Sequence, residues 1–146
     1  MARTAFESLH VYGLAEQLAD RIWEIVLGWD SFAKRTVGGQ LVDAVDSIGA
    51  NIAEGVGRGP CKENQRFVRI NRGSLNETKH FLRRAYRRDL VSQKQVACLK
   101  PLLDELAPRL NAYLKSIGPR RLGNARSRRP DDEQRTTDNG PLTTDN

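Results

Sequence analysis

No run of roughly 18 apolar residues occurs in this chain, so no segment reads as a membrane span. The first residues, Met1-Ala2-Arg3-Thr4, lack the apolar core of a secretory signal. Cysteine is scarce: Cys61 and Cys98 stand far apart, without the CxxC spacing of a metal or redox site. They read as free thiols in a reducing compartment, so a cytoplasmic protein without cofactor is expected. Period-2 alternation is absent, which argues against β-structure. No phosphate-cradling loop is present. Gly55-Val56-Gly57-Arg58-Gly59 has neither a strand before it nor a Lys-Ser/Thr pair after it. Histidine is nearly missing too, with only His10 and His80, and no nucleophile–base pair suggests itself. No enzymatic activity is expected.

What remains is helical. Four segments follow the 3.6-residue period. The first runs from Glu7 to Trp29, with Leu14, Leu18, Ile22, Ile25 and Trp29 on one face. A loop from Asp30 to Gly39 follows, punctuated by Gly38-Gly39. The second helix spans Gln40 to Val56 on the stripe Leu41, Val45, Ile48, Ile52 and Val56. Gly55, Gly57, Gly59 and Pro60 are expected to stop it. The third spans Cys61 to Arg88. Its expected seam is Phe67, Ile70, Ser74, Phe81 and Ala85, widened by Leu75, Leu82 and Tyr86. The fourth spans Gln93 to Ile117, opened by a capping box of Ser92 and Gln95. Pro101 and Pro108 interrupt it, yet the apolar rhythm continues through both, which predicts one bent helix. Four such helices joined by short connections predict an all-α, antiparallel up-down-up-down bundle over residues 1–118. Residues 119–146 are polar, with Leu122 and Leu142 their only large apolar side chains. They are expected to form a disordered tail.

The net charge of +6 is unevenly spread. Residues 62–88 carry Lys62, Arg66, Arg69, Arg72, Lys79, Arg83, Arg84, Arg87 and Arg88 against Glu63 and Glu77 alone. That segment is +7, and the rest of the chain is slightly acidic. Most of these cations recur at steps of three and four, so they share one helix face about 40 Å long at 1.5 Å per residue. Such a face can follow a phosphate backbone, and arginine suits two-pronged phosphate contact. It can equally be a solvated face, or meet Glu16, Asp20 and Glu24 of another helix or subunit. Aromatic residues do not interleave with the stripe, which disfavours base stacking.

A second constellation is polar. Asn51, Glu54, Ser74 and Glu77 can face one another between the second and third helices, with Arg58 four residues after Glu54. Buried hydrogen bonding that fixes helix register is the expected role. Glu77 and His80 have the Glu-x-x-His spacing of di-iron bundles. Glu7 and His10 repeat it only at the frayed N-terminus, and further inward carboxylates are not evident. No metal site is expected.

Two strings carry a family signature: Asn51-Ile52-Ala53-Glu54-Gly55 with Arg58, and Gly73-Ser74-Leu75-Asn76-Glu77. With Leu9-His10-Val11-Tyr12 and Arg66-Phe67-Val68-Arg69-Ile70, they resemble the four-helix proteins encoded within intervening sequences of bacterial 23S ribosomal RNA. The resemblance covers Phe6 to Gly118. It implies a non-enzymatic protomer that assembles into a ring-like homopentamer. A related branch comprises retroelement accessory variability proteins, which contact a reverse transcriptase and nucleic acid. The chain departs from the pattern at Asp43 and Asp46, where the second helix usually starts basic. It departs again at Asp89, where the turn usually has glycine. On the strength of the +7 segment, the expected function is binding of structured RNA or DNA backbone through the third helix. The rival expectation is a protein-interaction scaffold or accessory subunit, for example for a reverse transcriptase.

Overall fold

Hydrophobic spacing along four helices fixes the architecture. A computed structural model describes residue 6, residues 9–58 and residues 61–117, with Cys61 described by its backbone alone. Glu7, Gly59, Pro60 and the tail expected beyond residue 118 lie outside the described residues.

Helix α1 spans His10–Leu27, α2 Gly39–Gly57, α3 Cys61–Arg87 and α4 Gln93–Ser116. Helix α1 packs against α2 and α4, and α3 packs against α2 and α4, so α1 and α3 lie diagonally across the bundle. Short connections make successive helices antiparallel, giving the up-down-up-down arrangement. The core joins the stripes of all four: Leu18 and Ile22, Leu41 and Ile48, Val68 and Leu75, Leu99 and Leu106. No helix among the described residues is long and apolar enough to cross a membrane.

The connection between α1 and α2 differs from the expected loop. The Asp30 side chain accepts a 2.9 Å hydrogen bond from the Ala33 N–H and caps a helical turn over Ser31–Ala33. A π-helical turn, Lys34–Gly38, then runs directly into α2. Gly38 and Gly39 are both right-handed helical and do not break the chain. Gly38 serves close packing instead: a Cβ there would lie 3.0 Å from a Val26 methyl.

Helix α3 also corrects its expected seam. The buried positions are Val68, Asn71, Ser74, Leu75, Thr78, Leu82 and Ala85. Ile70 and Tyr86 are exposed, and Phe67 and Phe81 are half-buried. The stripe is rotated because Asn71 and Thr78 occupy core positions that an apolar count overlooks. Thr78 satisfies its hydroxyl by donating to the Ser74 carbonyl at 2.8 Å. Asn71 is wholly buried, and neither amide atom has a hydrogen-bonding partner among the described residues.

Helix α4 is one helix through Pro101 and Pro108, opened by the complete Ser92–Gln95 capping box. Both prolines are exposed. The carbonyls they leave without an intrahelical donor, four residues earlier at Ala97 and Asp104, therefore belong to exposed residues.

Candidate nucleic-acid interface

Turning the apolar stripe of α3 inward turns its cations outward. Lys62, Arg66, Arg69, Arg72, Lys79, Arg83, Arg87 and Arg88 are exposed, and Arg84 is half-buried. The ion pairs among the described residues are His10–Glu105, Arg58–Glu54, Lys100–Asp104 and Arg109–Glu105. None uses a cation of α3. The helix therefore presents its positive charge with no described carboxylate of its own protomer within ion-pairing distance.

The nine cations do not share one environment. Lys79 and Arg83 stand over a groove of about 430 Å³ between α3 and α4, with Leu82, Val96, Leu99 and Leu103 on its walls. The groove continues toward the other end of the bundle through a 210 Å³ depression beside Arg72, Leu75, Lys79 and Leu110. Arg87 and Tyr86 border a shallow 650 Å³ hollow formed by the turn into α4. Arg88 borders another, beside Phe32 and Leu90. Lys62, Arg66 and Arg69 are exposed toward the opposite end of α3.

The second constellation is divided by its burial. Ser74 is buried and Asn51 half-buried, whereas Glu54, Gly73 and Glu77 are exposed. Glu54 accepts a 3.0 Å hydrogen bond from Arg58, one turn on. Gly55 sits where α2 and α3 approach closely: a Cβ there would lie 2.6 Å from Asn64 Oδ1 and 3.1 Å from Phe67 Cβ. Asn64 in turn donates to the Tyr113 hydroxyl at 3.2 Å, linking α3 to α4. Gly73, by contrast, has open space where its Cβ would be.

Glu77 and His80 are exposed, and His10 faces Glu105 at 3.3 Å. Among the described residues no three His, Cys, Asp or Glu side chains are grouped to hold a metal ion.

Two features escape a reading of the sequence. One is the apolar floor of the α3–α4 groove, whose residues belong to two helices. The other is an acidic edge between α1 and α2. Burial raises the Asp46 carboxyl above its ordinary range, and the charges of Asp20 and Asp43 raise it further. Trp23 and Leu27 stand half-exposed on the same side of the bundle, both from α1. The signal in the sequence is that Trp23 and Leu27 fall out of phase with the Leu14–Leu18–Ile22 stripe.

Comparison with known proteins agrees with the two helix strings. The family model described as 23S rRNA-intervening sequence protein matches residues 7–112. No curated protein matches the chain.

Proposed function

Because this chain belongs to the 23S rRNA-intervening sequence protein family, we propose that it is a non-enzymatic, self-associating cytoplasmic protein that binds the backbone of structured RNA or DNA. The observation that carries this reading is the set of nine cations on α3 and at Arg88 just beyond it, eight of them exposed, with no carboxylate partner among the described residues. Unpaired arginines on a rigid helix displace the counterions condensed on nucleic acid, and the released ions drive binding. Backbone contact of this kind positions the protein without reading sequence. A ring of five copies, which the family resemblance implies, would repeat the basic helix around an axis and multiply its contacts.

A second reading is supported by the apolar groove between α3 and α4, a feature that phosphate binding does not need. There the chain is an accessory subunit, and the groove receives a protein such as a reverse transcriptase. Light-scattering mass with and without a structured RNA, at low and high salt, tests the two. A mass increase that high salt abolishes supports backbone binding. An oligomer indifferent to RNA moves the function to the protein scaffold.

A further inference from the structure

Two edges of the protomer are apolar, charged and unpaired, and their charges are opposite. The first lies between α1 and α2. Trp23 and Leu27 are 52% and 50% exposed there, and they border one depression with Val42 and Asp43, where Lys34 is the single cation on the rim against the three carboxylates of the edge. Asp20 and Asp43 each lie close enough to Asp46 to act on its charge, and none of the three carboxylates has an ion-pair partner among the described residues. The second edge is the α3–α4 groove, with its leucine and valine walls under Lys79 and Arg83 and its extension beside Arg72. Each edge lacks what the other supplies.

Their placement matters as much as their charge. In the cyclic order α1, α2, α3, α4, the two edges face opposite sides of the bundle. They also sit at the same height. Trp23 precedes the end of α1 by four residues, and Leu82 precedes the end of α3 by five. Val42 and Val96 each follow the start of their helix by three. At 1.5 Å per residue, all four lie within about 8 Å of the helix ends they adjoin. Those ends belong to one end of the bundle, where Phe32 and Arg88 share a hollow. A contact between identical edges would oppose like charges. A contact between unlike edges pairs them, uses each edge once per copy, and needs no shift along the bundle axis. Such a head-to-tail contact closes into a ring when its rotation closes.

We propose that the acidic α1–α2 edge of one copy docks into the basic α3–α4 groove of a second copy. Arg72, Lys79 and Arg83 are then assembly residues, and phosphate binding falls to the cations outside the groove, Lys62, Arg66, Arg69 and Arg87 among them. The inference rests on the self-association part of the proposed function and assigns its surfaces. It makes assembly salt-sensitive without nucleic acid, because opposite charges meet across the contact.

Charge exchange tests it on the full-length chain. Lys79→Glu with Arg83→Glu reverses the groove, and Asp43→Lys with Asp46→Lys reverses the edge. All four positions are exposed, and circular dichroism of each variant is the control for retained helices. Sedimentation equilibrium is expected to show an oligomer for the parent and protomers for either double variant. The quadruple variant, with both edges exchanged, is expected to regain the oligomer. An oligomeric parent whose double variants stay assembled, or whose quadruple variant stays monomeric, overturns the assigned surfaces and leaves self-association standing. A monomeric parent overturns both. Binding of an acidic amphipathic peptide to the groove of that monomer would give the groove to a foreign partner.

Discussion

The Leu90 N–H donates to the Ala85 carbonyl at 2.9 Å, and this six-residue closure ends α3. The Asp89 N–H donates to Tyr86 within it at 3.1 Å, completing a Schellman cap. Asp89 itself takes φ 59°, the left-handed conformation that glycine adopts without steric cost. It is the one non-glycine residue with positive φ among the described residues. Asp89→Gly removes the clash of its Cβ with the following carbonyl, and is expected to stabilise the protomer by about 1 kcal/mol. Thermal unfolding checks this. An unchanged or lower midpoint would mean that the aspartate side chain compensates for its backbone.

Glycines in α2 and α3 should respond with opposite signs. Gly55→Ala drives a methyl into Asn64 and Phe67. It is expected to cost about 1–3 kcal/mol, as overpacking does. Gly73→Ala meets open space on an exposed helical face, and should gain about 0.5–1 kcal/mol from the stiffer unfolded chain. Denaturant titration of the two variants side by side measures the contrast.

Asn71 is a buried amide without a partner among the described residues, and such a group carries a desolvation cost of about 1–3 kcal/mol. Asn71→Val, an apolar side chain of similar size, should raise the denaturation midpoint. Asn71→Asp should lower it sharply at neutral pH, because it places a charge where none can be paired. Equal stabilities for the two variants would show that the site is not dry.

The acidic edge should reveal itself through pH. Burial, then Asp20 and Asp43, raise the Asp46 pKa above its unfolded value. The native protomer therefore holds a proton that the unfolded chain has already released, and its stability falls as pH rises through that interval. Below the ordinary carboxylate range the penalty disappears. Asp46→Asn should stabilise dilute protomer at neutral pH and leave it unchanged in strong acid. In concentrated protein the same change should weaken assembly. Urea titrations at neutral and acid pH, run at low protein concentration, test the first part.

The architecture was legible because apolar periodicity is a one-dimensional signal. Leu14–Leu18–Ile22, Leu41–Val45–Ile48–Ile52 and Leu99–Leu103–Leu106–Leu110 each fix one helix and its inner face. Legibility ended where polar residues occupy the core. Asn71 and Thr78 shift the α3 seam away from Phe67, Ile70 and Phe81, and only packing reveals it. It ended again at Lys34–Gly38, where the chain stays helical through a glycine pair that usually ends a helix and Gly38 admits Val26. The nine cations were countable from the sequence. Their division between a groove and an open face was not, because Leu99 and Leu103 of α4 make the groove and lie far along the chain.

The central claim is that α3 cations outside the groove neutralise phosphates. Fluorescence anisotropy of a structured RNA, titrated with protein across a salt series, measures the number directly. The parent should bind with log affinity falling linearly against log salt. Arg66→Gln, Arg69→Gln and Arg87→Gln combined should shallow that slope by about 2–3, because each neutralised phosphate contributes about 0.9. Binding with an unchanged slope, or no binding at low salt, would contradict the account.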